Sequence, residues 1–171
     1  LDVLATTLVP LIIAPTVLYL AHQCTAALLP ESKDALSTLT PLTMFCVFLI
    51  ADDLTQYFWH RLSHSSWLYP LHRAHHSASY LSVRVVYRNN LIYYLFMPGL
   101  WLSGGLIYFG LWTVYPVYGL LKMVVIISAH SSVPWDRPLY HNRYTQYLMW
   151  LVERLISTPS THSMHHGLHE A

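Results

Sequence analysis

HRLSHSSWLYPLHRAHH, residues 60–76, places five histidines in seventeen positions, and THSMHHGLHE at 161–170 repeats the concentration near the end of the chain. The surrounding sequence makes this unusual: the 171 residues are 54% hydrophobic and only 10% charged, against roughly 25% charged in an ordinary soluble domain. A water-soluble protein of this length needs more polar residues to cover its surface, so the composition points to a membrane protein. The formal net charge of +1 offers no basic surface for nucleic acid. Cys24 and Cys46 form no C-x-x-C pattern, which excludes a thiolate metal site and a disulfide framework.

Around the histidine stretch the chain divides into apolar blocks. The first, 3–21, is long enough for one span of about 20 residues, with Pro10 and Pro15 as expected kinks. The second, 41–59, opens on Thr40-Pro41, an N-cap followed by a proline at the first helical position. A third block, 91–127, is longer than one span needs and reads as a helical hairpin turning at Gly104-Gly105, the alternative being one tilted span with a re-entrant piece. Arg61, Arg73, Arg84 and Arg88 lie between blocks two and three, and Arg137, Arg143 and Arg154 follow block three. By the positive-inside rule both histidine groups face the cytoplasm, and a hairpin returns the chain to that side. The start at Leu1 and the stop at Ala171 read as a piece of a longer protein.

Helical spacing explains the histidines. At about 100° per residue His60 and His64 lie roughly 40° apart on one face, while His72, His75 and His76 fall within an arc of about 100°. His162, His165 and His166 repeat that spacing behind Thr158-Pro159, with Gly167 as a stop. Neutral imidazole is a good ligand for iron, zinc or copper, and eight such ligands exceed the needs of one ion, so two are implied. His130, in SAHSS at the end of block three, is a ninth candidate; His141 in YHNRY competes with it, and His169 and His22 are read as lying outside the cluster. Asp53 shares the face of His60 about 10 Å along the helix. It is a possible orienting group for a histidine of another box, or an interfacial charge. Tyr57, Trp59 and Trp67 read first as aromatic packing at the membrane interface, the alternative being the mouth of an apolar slot.

As an ordered set, D-x6-H-R-x-x-H at Asp53–His64, H-R-A-H-H-S at 72–77, H-S-S at 130–132 and T-P-S-T-H-S-M-H-H at 158–166 resemble the fatty-acid hydroxylase / sterol desaturase superfamily of membrane histidine-box di-iron oxygenases. The resemblance covers most of the chain from about residue 40 onward. It implies an all-α integral membrane fold of about four transmembrane helices, with a cytoplasmic helical cap holding a histidine-rich dimetal site. The chain is then a single domain over 1–171, its histidine-box region at 53–166. By position His60, His64, His72, His75, His76, His130, His162, His165 and His166 carry over as metal ligands.

The activity this implies is O2-dependent hydroxylation of a sterol, fatty acyl or alkyl lipid. It would use two Fe ions (zinc being a possible occupant as purified) and an electron-donor protein of the cytochrome b5 or ferredoxin-reductase type. The expected location is the endoplasmic reticulum or bacterial inner membrane, with the histidines on the cytoplasmic face. A lipid desaturase uses similar boxes. A metal transporter is the rival from another class, but it needs ligands at mid-membrane depth, where block three offers only Lys122. A catalytically inactive relative that keeps zinc for structure is a third reading.

Overall fold

The computed structural model describes residues 2–167. The first block folds as one helical run, Asp2–Leu28, made of α1 (Asp2–Leu8), a π turn at Val9–Ile13 and α2 (Ala14–Leu28). The π turn contains Pro10, and this wider turn accommodates the missing N–H that an ordinary α-turn would have used. α3 (Pro41–Ser63) begins where Thr40 was expected to cap it, with the Thr43 N–H donating to Thr40 Oγ1 at 3.2 Å. It runs past the end of the apolar block, so that His60 rides on its last turn. α4 (Tyr69–His76) follows a short turn and carries His72, His75 and His76.

The third block corrects the sequence reading. Gly104 and Gly105 do not make a turn; both lie inside α6 (Pro98–Tyr108), which follows the short α5 (Leu91–Leu95). Their role is close packing: a Cβ on Gly104 would stand 2.5 Å from both Ala21 Cβ and the Leu18 carbonyl oxygen of α2. Small residues that let two backbones approach are the usual device where helices meet in lipid. The chain reverses instead at Gly110, whose φ of +104° favours glycine. The 30–40 segment closes over this turn, with the Asp34 N–H donating to the Tyr108 carbonyl (3.1 Å) and the Leu36 N–H to the Phe109 carbonyl (2.8 Å). α7 (Tyr115–Ala129) then runs back and delivers His130 at its C-cap. α8 (Arg137–His141), α9 (Gln146–Val152) and α10 (Pro159–His165) complete the described chain, which contains no strand.

α6 lies between α2 and α3, and α7 packs on α3. Phe48, Met44, Leu106, Leu111 and Tyr118 form the core of this bundle, and Phe48 stacks on Tyr118 with ring centroids 5.0 Å apart. Two runs are long and apolar enough to cross a membrane, Asp2–Leu28 (mean hydropathy 2.1) and Leu91–Tyr108 (1.3). α3 has the length but carries Asp52 and Asp53 in its middle, and α7 is apolar but has 15 residues. The outer surface is correspondingly apolar: Leu11 is 70% exposed, Leu42 74%, and Leu120 68%. Surfaces of that kind need a nonaqueous partner.

The helix contact at Gly104 can be tested directly. Gly104→Ala is expected to push α6 from α2 and lower stability by about 1–3 kcal/mol, read as a fall in detergent melting temperature. Gly119→Ala, where a Cβ meets nothing within 4 Å, is expected to be neutral or stabilising by up to about 1 kcal/mol.

Candidate metal centre

Four segments deliver the nine histidines to one place. α3 ends with His60 and is capped by His64; α4 brings His72, His75 and His76; His130 caps α7; α10 brings His162 and His165 and is capped by His166. Two groups result. His75, His130, His162 and His166 form one, all buried, and His60, His64, His72 and His76 the other; in each, one nitrogen per ring lies within 4.8 Å of the others. His165 adjoins the second group, its Nε2 2.7 Å from His60 Nε2 and its ring 4.8 Å from those of His64 and His76. The groups abut through His76 and His166, whose rings stack 4.4 Å apart.

The orientation of the rings is what makes this a candidate metal site. His75 Nδ1 donates to the Val85 carbonyl (3.0 Å) and His130 Nδ1 to the Ile126 carbonyl (2.8 Å). Both protons are thereby placed on Nδ1, so the facing Nε2 atoms, 3.4 Å apart, each present a lone pair. Two lone pairs in a buried space have nothing to offer each other and call for an electrophile between them. Three further Nε2 separations are 2.9 Å (His130–His162), 3.1 Å (His75–His166) and 3.2 Å (His162–His166). Four nitrogens held tetrahedrally at about 2.0–2.1 Å from one ion would be roughly 3.3 Å apart. The donor set therefore fits a transition metal. His166 Nδ1 is buried without a hydrogen-bond partner.

The second group is built the same way. Asn89 Nδ2 donates to Tyr94 OH (3.0 Å), which leaves Asn89 Oδ1 to accept from His72 Nδ1 (2.8 Å). His72 Nε2 then faces His76 Nε2 at 3.1 Å. Burial disfavours the imidazolium throughout. It pushes His72 down to about 4 against the Asn89 hydrogen bond, and with neighbouring imidazoles it pushes His166 to about 4 and His76 to about 3. His75 and His162 are held lower still for the same two reasons. The rings are thus neutral, the form that binds metal, across the ordinary pH range.

The positions of the other candidates are mixed. His141 is on the surface, bonded to its own helix through the Arg137 carbonyl, and joins neither group. His22 packs edge-on against Tyr108 near the opposite end of the bundle. His169 lies outside the described residues. Asp53 is exposed and hydrogen-bonds to no histidine among the described residues. Tyr57 lines the cavity described next, but Trp59 packs on Tyr93 and Trp67 is 70% exposed, so neither guards it.

Three supporting groups were assigned no partner by sequence reading. Asn89 orients His72 from 17 residues away. Asp136, fully buried, accepts the Ser160 N–H at 3.0 Å and so fixes the first turn of α10. Asp52 pairs with Lys122 across α3 and α7. Only the last left a sequence signal, a carboxylate in one apolar block and a single lysine in another. A cavity of about 1240 Å³ lies against the histidines; His60, His72, His130 and His162 form part of its wall, and Leu18, Leu54, Met97, Leu100 and Ile126 form apolar parts.

Fold, histidine groups and cavity together define a helical protein with two candidate membrane helices and a site of metal-binding type. A family model described as fatty acid hydroxylase matches residues 45–171, about three quarters of the chain, and the protein belongs to that family. No solved structure matches it.

Asn89→Ala, which removes the acceptor of His72 Nδ1, is expected to weaken divalent-metal uptake by about 10–100-fold, measured by competition with a chelator; Asn89→Asp should retain most of it. The metal-free protein should also lose stability as pH falls. The histidines bind protons near 6.5 when unfolded but only near 4 in the fold for His72 and His166. The unfolded chain therefore binds more protons in that window, and stability drops from about pH 6.5 to about pH 4, read by acid titration of helicity.

Proposed function

We propose that this protein is a membrane oxygenase that hydroxylates an unactivated C–H bond of a lipid with O2, using two iron ions held by the nine histidines. The observation that carries this reading is the apolar cavity of about 1240 Å³ that has the inward-turned imidazoles in its wall. It exceeds the roughly 300–1,000 Å³ of ordinary small-molecule clefts, which suits a long apolar substrate. The family to which the chain belongs supports the same class of activity.

His75, His130, His162 and His166 would hold one ion, and His60, His64, His72, His76 and His165 the other. When bound, iron supplies the O2-dependent oxidising power that no side chain possesses. The protein's part is to fix and shield. The Val85 and Ile126 carbonyls and the Asn89 amide keep the Nε2 lone pairs pointed inward. Desolvation keeps the rings unprotonated, and the apolar walls lay a hydrocarbon beside them while excluding water. Electrons would come from a separate donor protein of the cytochrome b5 or ferredoxin-reductase type.

α3 and α7, in addition to the two helical runs that pass by length and hydropathy, would complete four crossings. The arginines between and after the apolar blocks support a cytoplasmic site in the endoplasmic reticulum or bacterial inner membrane.

The deciding measurement is metal per chain of detergent-purified protein from iron-supplemented cells. About two transition-metal ions are expected, falling to less than one in His75→Ala/His165→Ala, which removes a ligand from each group. Given a donor system and O2, the parent should convert lipids to hydroxylated products detectable by mass spectrometry. A folded parent that takes up no metal would overturn the reading.

A further inference from the structure

Well away from the histidines, α3 and α7 are joined by an ion pair that the proposed chemistry does not use. Lys122 Nζ lies 2.5 Å from Asp52 Oδ2, and Tyr118 OH donates to the same oxygen. Asp52 is 3% exposed, and its other carboxylate oxygen is buried without a partner. That oxygen is turned to Gly99, where a Cβ would stand 2.7 Å away. A glycine is thus kept at this point so that α6 can close over the carboxylate. Charges built with such care inside an apolar bundle mark a site of function.

The ammonium itself is not enclosed. The Lys122 side chain is 28% exposed, and Tyr118, Gly119 and Lys122 all line the cavity that reaches the histidines. An ammonium has three donors, and Asp52 Oδ2 is its one hydrogen-bond acceptor among the described residues. Donors therefore remain, facing a largely apolar space. The local charge selects what they can take. Lys122 and Asp52 cancel, and the Asp53 side chain also lies on the cavity wall. A carboxylate entering here finds the ammonium already paired with Asp52 and is brought beside that buried carboxylate, whereas a neutral oxygen accepts a hydrogen bond without that repulsion.

We infer that Lys122, held by Asp52 and Tyr118, anchors the substrate by a neutral oxygen head, a lipid hydroxyl or carbonyl. This rests on the oxygenase reading and names its substrate class. It also sets a length. Eight residues separate Lys122 from His130 on α7, and eight separate Asp52 from His60 on α3, about 12 Å in each helix. An extended chain gains about 1.2 Å per bond, a third of a residue's reach. The oxidised carbon then sits roughly ten bonds from the head oxygen, and the free fatty acid of the same length is the poorer ligand.

The test is equilibrium binding of tritiated hexadecanol and of tritiated palmitic acid to the detergent-purified chain, with metal content measured on the same samples. Hexadecanol should bind more tightly than palmitate. Lys122→Met/Asp52→Asn, which removes both charges together, should weaken hexadecanol about tenfold or more with metal per chain unchanged. Undiminished hexadecanol binding in the double variant overturns the anchor, and tighter palmitate than hexadecanol overturns the neutral head. A second measurement needs no substitution. Hexadecanol carrying a photoreactive diazirine beside its hydroxyl carbon should label residues 99–103 or 118–122 of the unaltered chain, and labelling confined to α4 and α10 overturns the assignment. Failure of the oxygenase reading itself has its own readout, the absence of metal from the unaltered chain.

Discussion

The hydrogen bonds on the outer nitrogens of His72, His75 and His130 decide what the rest of this structure is for. Each takes a proton that could sit on either ring nitrogen and fixes it on Nδ1. Each inner nitrogen is then left as a lone pair, with other imidazoles within 3.4 Å. Without those three acceptors the rings could pair among themselves through their own protons. With them, the His75 and His130 lone pairs are set against each other in a space where charge is disfavoured. Such an arrangement is costly unless a cation is present, and it therefore reads as a site prepared for one.

That preparation depends on the helices beneath. α4 supplies ligands to both groups, His72 and His76 to one and His75 to the other, because successive positions on a helix diverge by about 100°. His130 arrives only because the chain reverses at Gly110 and α7 returns toward the end of α3. α10 is placed by its capping box at Thr158 and Thr161 and by the Asp136 carboxylate on Ser160 N–H. Contacts distant in sequence thus converge on rings whose nitrogens tolerate displacements of only tenths of an ångström.

The bundle solves a second problem with glycine. Gly104 lets α6 meet α2 at backbone distance, and Gly99 lets it close over the Asp52 carboxylate. In a surface rich in exposed leucine and valine, burying apolar side chains contributes little to holding helices together if lipid lies outside. Close contact and buried polar pairs do the holding instead. The Asp52–Lys122 pair belongs to this logic and also opens onto the cavity through Lys122, which makes it both a link between α3 and α7 and a polar feature of the cavity wall.

The sequence by itself determined the helical phase of each histidine box, the caps at Thr40-Pro41 and Thr158-Pro159, the membrane character of the composition and the family. These are local properties: a three- or four-residue spacing, a side chain reaching three residues, a run of apolar residues. The position of the turn was not legible, because Gly104-Gly105 looks the same in a loop and in a tight helix contact, and only the approach of α2 distinguishes them. The choice of His130 over His141 was likewise closed to spacing, since it rests on where α7 ends. Nor did Asn89 or Asp136 announce a role; Asp52 stood out as a carboxylate inside an apolar block, but its pairing with Lys122 was not legible, and Asp53 beside it is exposed. Which carboxylate or amide meets which ring is fixed by contacts between segments far apart in the chain, and only the tertiary structure brings those segments together.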